Sequence, residues 1–336
     1  MKLRKIVFLP LLLVALASCD GAGGKISREV ANTRVTAALE KTVNETFKSI
    51  DLAVDLDAVI SHKAVDEANV VIEEDKIEVS GNATVKAKDL DKETAQFAIT
   101  GSGSYALYHG SEKALAVEGE GGIYYTDEFV YLGLTASMFD GESGRTETES
   151  LKQKMEVGPF PGLPDLDDFE GQLPGPEVEI EGPGDIGELL PAIGTVTATE
   201  KKGVLTVKYE VKQADLAQLV FEVLAPEIGD MTSSELAEAL EDLQEMIDES
   251  VLIRKAVVTV VVGAEGYING LTVDVDFDAI SDYHYWDDTA QDYLVAVDTT
   301  TVKGKLDVSL KINEAVAITF PSFADYVLVE EIGLVN

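Results

Sequence analysis

One cysteine, one tryptophan and three histidines serve a chain of 336 residues. A lone cysteine excludes a disulfide within the chain and any zinc site built on several thiolates. His62, His109 and His284 are isolated, and none has the HExxH, Ser-His-Asp or Cys-His context that metal or nucleophilic chemistry needs. The glycine-rich runs Gly101-Ser102-Gly103-Ser104 and Gly119-Glu120-Gly121-Gly122 miss the dinucleotide and phosphate-loop spacings. Positive charge is also scarce: 26 Lys and Arg stand against 62 Asp and Glu, for a net charge of −36. Such a surface repels nucleic acid and anionic headgroups, so no nucleic-acid partner is expected. The acidity keeps an exposed protein soluble, or it attracts cationic partners or divalent metal. Nothing pairs the many carboxylates for acid–base work, so a carboxylate hydrolase ranks last. The chain reads as no enzyme, and no cofactor is expected.

What the sequence does have begins at its N-terminus. Lys2, Arg4 and Lys5 precede an apolar run from Ile6 to Ala17 that is too short for a comfortable transmembrane helix. Small residues follow, the order of a signal peptide over residues 1–18. Leu16-Ala17-Ser18-Cys19 resembles the lipobox of bacterial lipoproteins. That resemblance implies that Cys19 is diacylated on sulfur and begins the mature chain, anchored to a membrane of the cell envelope on its periplasmic or extracytoplasmic face. The alternative is an ordinary secretory peptide that ends in cysteine. Asp20 resembles one system's inner-membrane retention signal, and Gly21 to Gly24 complete a short tether over residues 19–24.

The rest, 25–336, reads as a single domain with 46% hydrophobic residues in the whole chain, enough for a core. Residues 25–49 have helical spacing at Ile26, Val30, Ala37, Val43, Phe47 and Ile50, with Val35 and Leu39 beside that stripe. From Asp51 the period becomes two, and strand candidates run to Leu134, with turns expected at Glu74-Asp75, Asp89–Asp91 and His109-Gly110. Residues 140–192 carry no hydrophobic period and hold seven of the ten prolines. They read as a long acidic loop or lid, or as a disordered insertion. A hairpin over 194–212 follows, then a short helix at Asp215–Leu224. A second helix opens on the capping box Thr232-Ser233-Ser234-Glu235. Strands return at Val251–Val262, a central one, then at Leu271–Phe277, Tyr293–Val297, Thr301–Lys311 and Ala315–Phe320. The fold class expected is α+β: one large curved antiparallel sheet with helices packed on one face.

This order of elements resembles the half-barrel lipid carriers, the LolA-like and LppX/LprG-like bacterial lipoproteins. The residues that carry the resemblance are the helix 25–49 leading into strands, Gly203–Lys212 followed by a helix, and the closing run Lys303–Tyr326 with its turn near Asn313-Glu314. The acidic Pro/Gly insertion and the extreme charge depart from that pattern. The resemblance implies an apolar cavity that holds acyl chains, for transport or retention in the envelope. Ile123, Phe129, Tyr131, Leu134, Met138 and Phe139, with Leu219, Val223, Leu240 and Leu243 on the helices, line it on this reading. A filled core explains each of them as well. The alternative function is a surface lipoprotein that engages another envelope protein. Asp274, Asp276 and Asp278 alternate along one strand and read as a solvated face or as oxygen ligands for Ca²⁺. Tyr283-His284-Tyr285-Trp286 is either a strand end packed on the sheet or an exposed recognition patch.

Overall fold

The computed structural model describes residues 26–92, 94–158, 194–217, 233–287 and 291–330. Twelve strands form one open sheet, with two α-helices among the described residues. Helix α1 is Arg28–Asn44. Strands β1 (Ile50–Val65), β2 (Val71–Lys88), β3 (Gln96–His109), β4 (Glu112–Thr126), β5 (Phe129–Asp140) and β6 (Arg145–Glu156) follow. Then come β7 (Thr195–Lys201), β8 (Val204–Glu210), helix α2 (Ser233–Ser250), β9 (Val251–Val262), β10 (Ile268–Asp287), β11 (Asp292–Ile312) and β12 (Val327–Leu328). The strand order is β12-β6-β5-β4-β3-β2-β1-β11-β10-β9-β8-β7. The chain divides into two compact units, the first Met1–Val43, Ser61–Glu74 and Asp165–Gly304, the second Asn44–Ile60, Asp75–Pro164 and Lys305–Asn336.

In the first unit, β8 alternates Leu205, Val207 and Tyr209, and all three are fully buried. Register places them opposite Val262, Val260 and Val258 of β9, and Leu271 of β10 continues the row from Val260. Helix α1 lies against this core with Ala31, Val35 and Ala38, spaced i, i+4 and i+7. Its buried stripe is therefore turned from the expected one: Val30 is 49% exposed and Ala37 is also exposed. Small residues at 31 and 38 let the helix backbone approach the sheet, which the larger Val30 would not. Ser27 caps the helix, its hydroxyl accepting the Val30 N–H at 3.4 Å. Tyr209 donates its hydroxyl hydrogen to Asn32 Oδ1 at 3.1 Å. Gln213 joins the end of α2 to β9: its amide donates to the Val251 carbonyl at 2.6 Å, and its oxygen accepts the Ile253 N–H at 2.9 Å.

Arg254 is the extra residue of a bulge between Lys255↔Asp276 and Ile253↔Phe277. Its guanidinium donates to Asp276 at 2.8 Å and to Asp278, while Lys255 pairs with Asp274 and Lys303 lies 3.5 Å from Asp276. The three aspartates do share a face, and that face is filled by cations rather than by an oxygen cage. Asp278 is buried, and the Thr301 hydroxyl, first, and the Arg254 guanidinium, second, hold its carboxyl below the usual carboxylate range. A depressed folded pKa stabilises the fold above the unfolded value, and that stability is lost as pH falls through the folded one. Acid titration of the wild type should therefore lose stability below about pH 4, the ordinary carboxylate value. Asp278→Asn should give a protein less stable at pH 7 with a flatter acid limb, measured by urea unfolding across pH 2–6.

The second unit is built on β2 to β6, paired antiparallel in unbroken sequence order. Several expected boundaries move. The helix expected over 25–49 spans 28–44, and β2 runs straight through Glu74-Asp75. The polar stretch that opens the expected 140–192 loop contains β6, whose side chains are mostly exposed on both faces. The remainder of that loop, from 159 on, lies outside the described residues, as do Cys19 and the N-terminal segment. Ala315–Phe320, expected as a strand, has no regular structure. After Asn313, in the left-handed region at φ 57°, the chain leaves the sheet, and β12 then adds parallel to β6 at Gln153 and Lys154.

Candidate functional site

Pairing in the second unit sorts every residue of β2–β5 onto one of two faces. On one face the register rows are Val79-Tyr105-Val117-Met138, Gly81-Gly103-Gly119-Ala136, Ala83-Gly101-Gly121-Leu134 and Val85-Ile99-Ile123-Leu132. No polar side chain interrupts these four rows except the Tyr105 hydroxyl. The two middle rows carry little or no side chain on β2, β3 and β4, with Leu134 the one large residue at their β5 end, and the bulky rows flank them. Glycine is required at 101 and 121, where a Cβ would stand 2.8 Å from a backbone oxygen of the neighbouring strand. Ile99, Ile123 and Leu134 are 37–40% exposed, and Met138 is 48% exposed. The result is an apolar trough floored by backbone and left open along its rim.

The other face of the same strands is a hydroxyl ladder. Ser80 bonds Ser104 at 2.8 Å, Thr84 bonds Thr100 at 2.6 Å, and Asn82 donates to Ser102 at 2.7 Å. Further along, this face turns aromatic. Tyr131 stacks on Phe323 at 3.7 Å between ring centroids, and Tyr326 meets both rings edge-on. Tyr124 is edge-on to Phe320 and Phe323. The C-terminal segment 313–330 thus covers β4 and β5 with its aromatics. Gly133 makes room for it, since a Cβ there would lie 2.5 Å from the Tyr326 hydroxyl. Burial pushes the phenols of Tyr124, Tyr131 and Tyr326 up.

The expected lining therefore divides. Ile123, Leu134 and Met138 stand on the open apolar face. Phe129, Tyr131 and Phe139 alternate onto the opposite face. Leu240 and Leu243 are half-buried on α2, in the first unit, and Leu219 and Val223 lie outside the described residues. Val85, Ile99, Tyr105 and Val117 were not among the expected residues. Their signal is the period-two run Ile77-Val79-Gly81-Ala83-Val85-Ala87, apolar at every alternate position. Elsewhere His62 Nε2 lies 3.0 Å from Asp298 and His109 Nδ1 lies 2.7 Å from Asp75. No described helix is long and apolar enough to cross a membrane.

Fold and site together define an open, mostly-β, twelve-stranded protein with two described helices and a bare apolar sheet face. No protein-family model matches the chain, and no curated protein matches it. Among solved structures it is similar to a beta-barrel-like protein of Domain of Unknown Function DUF1849 from Brucella abortus. That likeness is 9% identical and covers 80% of this chain and 100% of that one, with a TM-score of 0.20. It is also similar to the translocator domain of the autotransporter NalP from Neisseria meningitidis, 10% identical over 83% of this chain and 94% of that one, with a TM-score of 0.14. At these scores neither likeness bears on function.

Proposed function

We propose that this chain is a membrane-anchored bacterial lipoprotein of half-barrel carrier type, whose open apolar sheet face takes up the acyl chains of a lipid. The carrying observation is the four-row apolar face of β2–β5, with its rim residues roughly two-fifths exposed. Each methylene moved from water onto such a surface contributes up to about 0.8 kcal/mol, so a chain laid along the bare middle rows gains several kcal/mol. Adjacent rows are about 6.8 Å apart along the strands, so the two bulky rows stand about 20 Å apart and an extended hydrocarbon chain fits between them. The Leu16–Cys19 stretch supports the anchor, and the anchor keeps the face beside its lipid source.

Native mass spectrometry of the full chain purified from a bacterial host, followed by organic extraction, tests this. Near-stoichiometric phospholipid or glycolipid is the expected result. A clean apo mass with no uptake of a fluorescent fatty acid would remove the carrier reading. A second reading rests on the same exposures: an apolar patch of this size that takes no lipid is a contact surface for another envelope protein.

A further inference from the structure

We propose that the face of β10 and β11 that carries Trp286, Tyr293, Val295 and Val297, in the first unit, is a docking surface for a cationic amphipathic segment of a partner protein. It lies on a different unit from the acyl site and does not depend on it. Trp286 and Tyr293 form an edge-to-face pair, with centroids 5.3 Å apart at 72°, yet they are 52% and 67% exposed. Val295 and Val297 alternate with Tyr293 onto the same face and are 45% and 52% exposed. Four large apolar side chains thus face solvent together, with a tryptophan and a tyrosine among them. These two residue types dominate binding hot spots because they bury much area for few rotatable bonds.

The other face of these strands is tied down. Tyr283 donates to Glu73 at 2.6 Å, and the His62 ring meets the Tyr283 ring edge-on at 6.2 Å. The Trp286–Val297 face is therefore held outward on a fixed support. Within β10 and β11 up to Val302 the charge is of one sign. No Lys or Arg occurs from Ala256 to Val302, and Asp282 and Asp292 are exposed beside the apolar residues. Asp292 is held there, its carboxylate accepting the Tyr293 N–H at 2.8 Å. An apolar floor inside an acidic rim complements a segment with Leu or Phe on one side and Lys or Arg flanking them. The same rim is repelled by anionic headgroups, which disfavours a membrane as the occupant.

Trp286 is the only tryptophan, so its emission reports this surface alone. The purified full chain would be titrated with a Leu/Lys amphipathic helix of about 18 residues. A saturable blue shift is expected, weakened near 1 M salt, where screening reaches about 3 Å. Val295→Thr with Val297→Thr should weaken it at least tenfold while thermal unfolding is unchanged. Non-specific attraction to an acidic chain would leave the emission unmoved, and that outcome overturns the proposal. So does an equal shift with a Gln-for-Lys peptide, or a shift with phosphatidylcholine vesicles and none with the peptide.

Discussion

Tyr209→Ala should destabilise the first unit by about 3–5 kcal/mol, the range for deleting a large aromatic from a packed core. Tyr209 is 1% exposed, lies in register between Val196 and Val258, and holds Asn32 of α1 through its hydroxyl. Tyr209→Phe keeps the ring and loses only that bond, so its cost should be about 1 kcal/mol. The pair separates packing from hydrogen bonding, and amide hydrogen exchange in β8 and β9 measures both. A pH signature follows as well. Burial, the largest cause, pushes the phenol far above its ordinary value near 10. The unfolded chain then releases this proton at a lower pH than the folded one. Stability contributed by the neutral phenol is complete below about pH 10 and falls as pH rises beyond it. Wild type should lose stability above that pH more steeply than Tyr209→Phe.

The core around Tyr209 was legible because only one face of β8 is buried. Leu205, Val207 and Tyr209 then stand out against Thr206 and Lys208. β9 was legible as a central strand for a related reason: it is apolar at nearly every position and has a strand on each side. β6 was not legible. Nearly all of Arg145–Ser150 is exposed, so no residue needs to be apolar and no period is written. Glu74-Asp75 reads as a turn by composition, but β2 runs through it, and cross-strand partners outweigh local preference. The lining was half legible. Phe129–Phe139 has large apolar residues on both faces, one set for the open trough and one that includes Tyr131 under the C-terminal aromatics, so alternation alone could not say which residues face the trough. Only the register with β4 divides Ile123, Leu134 and Met138 from Tyr131 and Phe139.

That division yields the prediction that separates a lipid carrier from a contact surface. Ile99→Lys combined with Leu134→Lys places two ammonium groups on the apolar face, one in the row beside the bare middle rows and one at the β5 end of a middle row. Both residues are over a third exposed, so the new side chains can reach water along their stems and the fold should survive. An acyl chain in the trough would instead have to cover or skirt two charges, which costs several kcal/mol. Fluorescent fatty-acid uptake should fall at least about 100-fold, equivalent to about 2.7 kcal/mol. Ser102→Lys with Ser150→Lys puts the same charges on the hydroxyl face of the same sheet, on β3 and β6 at exposed positions, and uptake should stay within twofold of wild type. Loss in both pairs would point to damage to the sheet. Retention in both would mean that acyl chains do not use this face. The exposed rim of Ile99, Ile123, Leu134 and Met138 would then belong to a protein partner, because so large an apolar area left in water needs something to cover it.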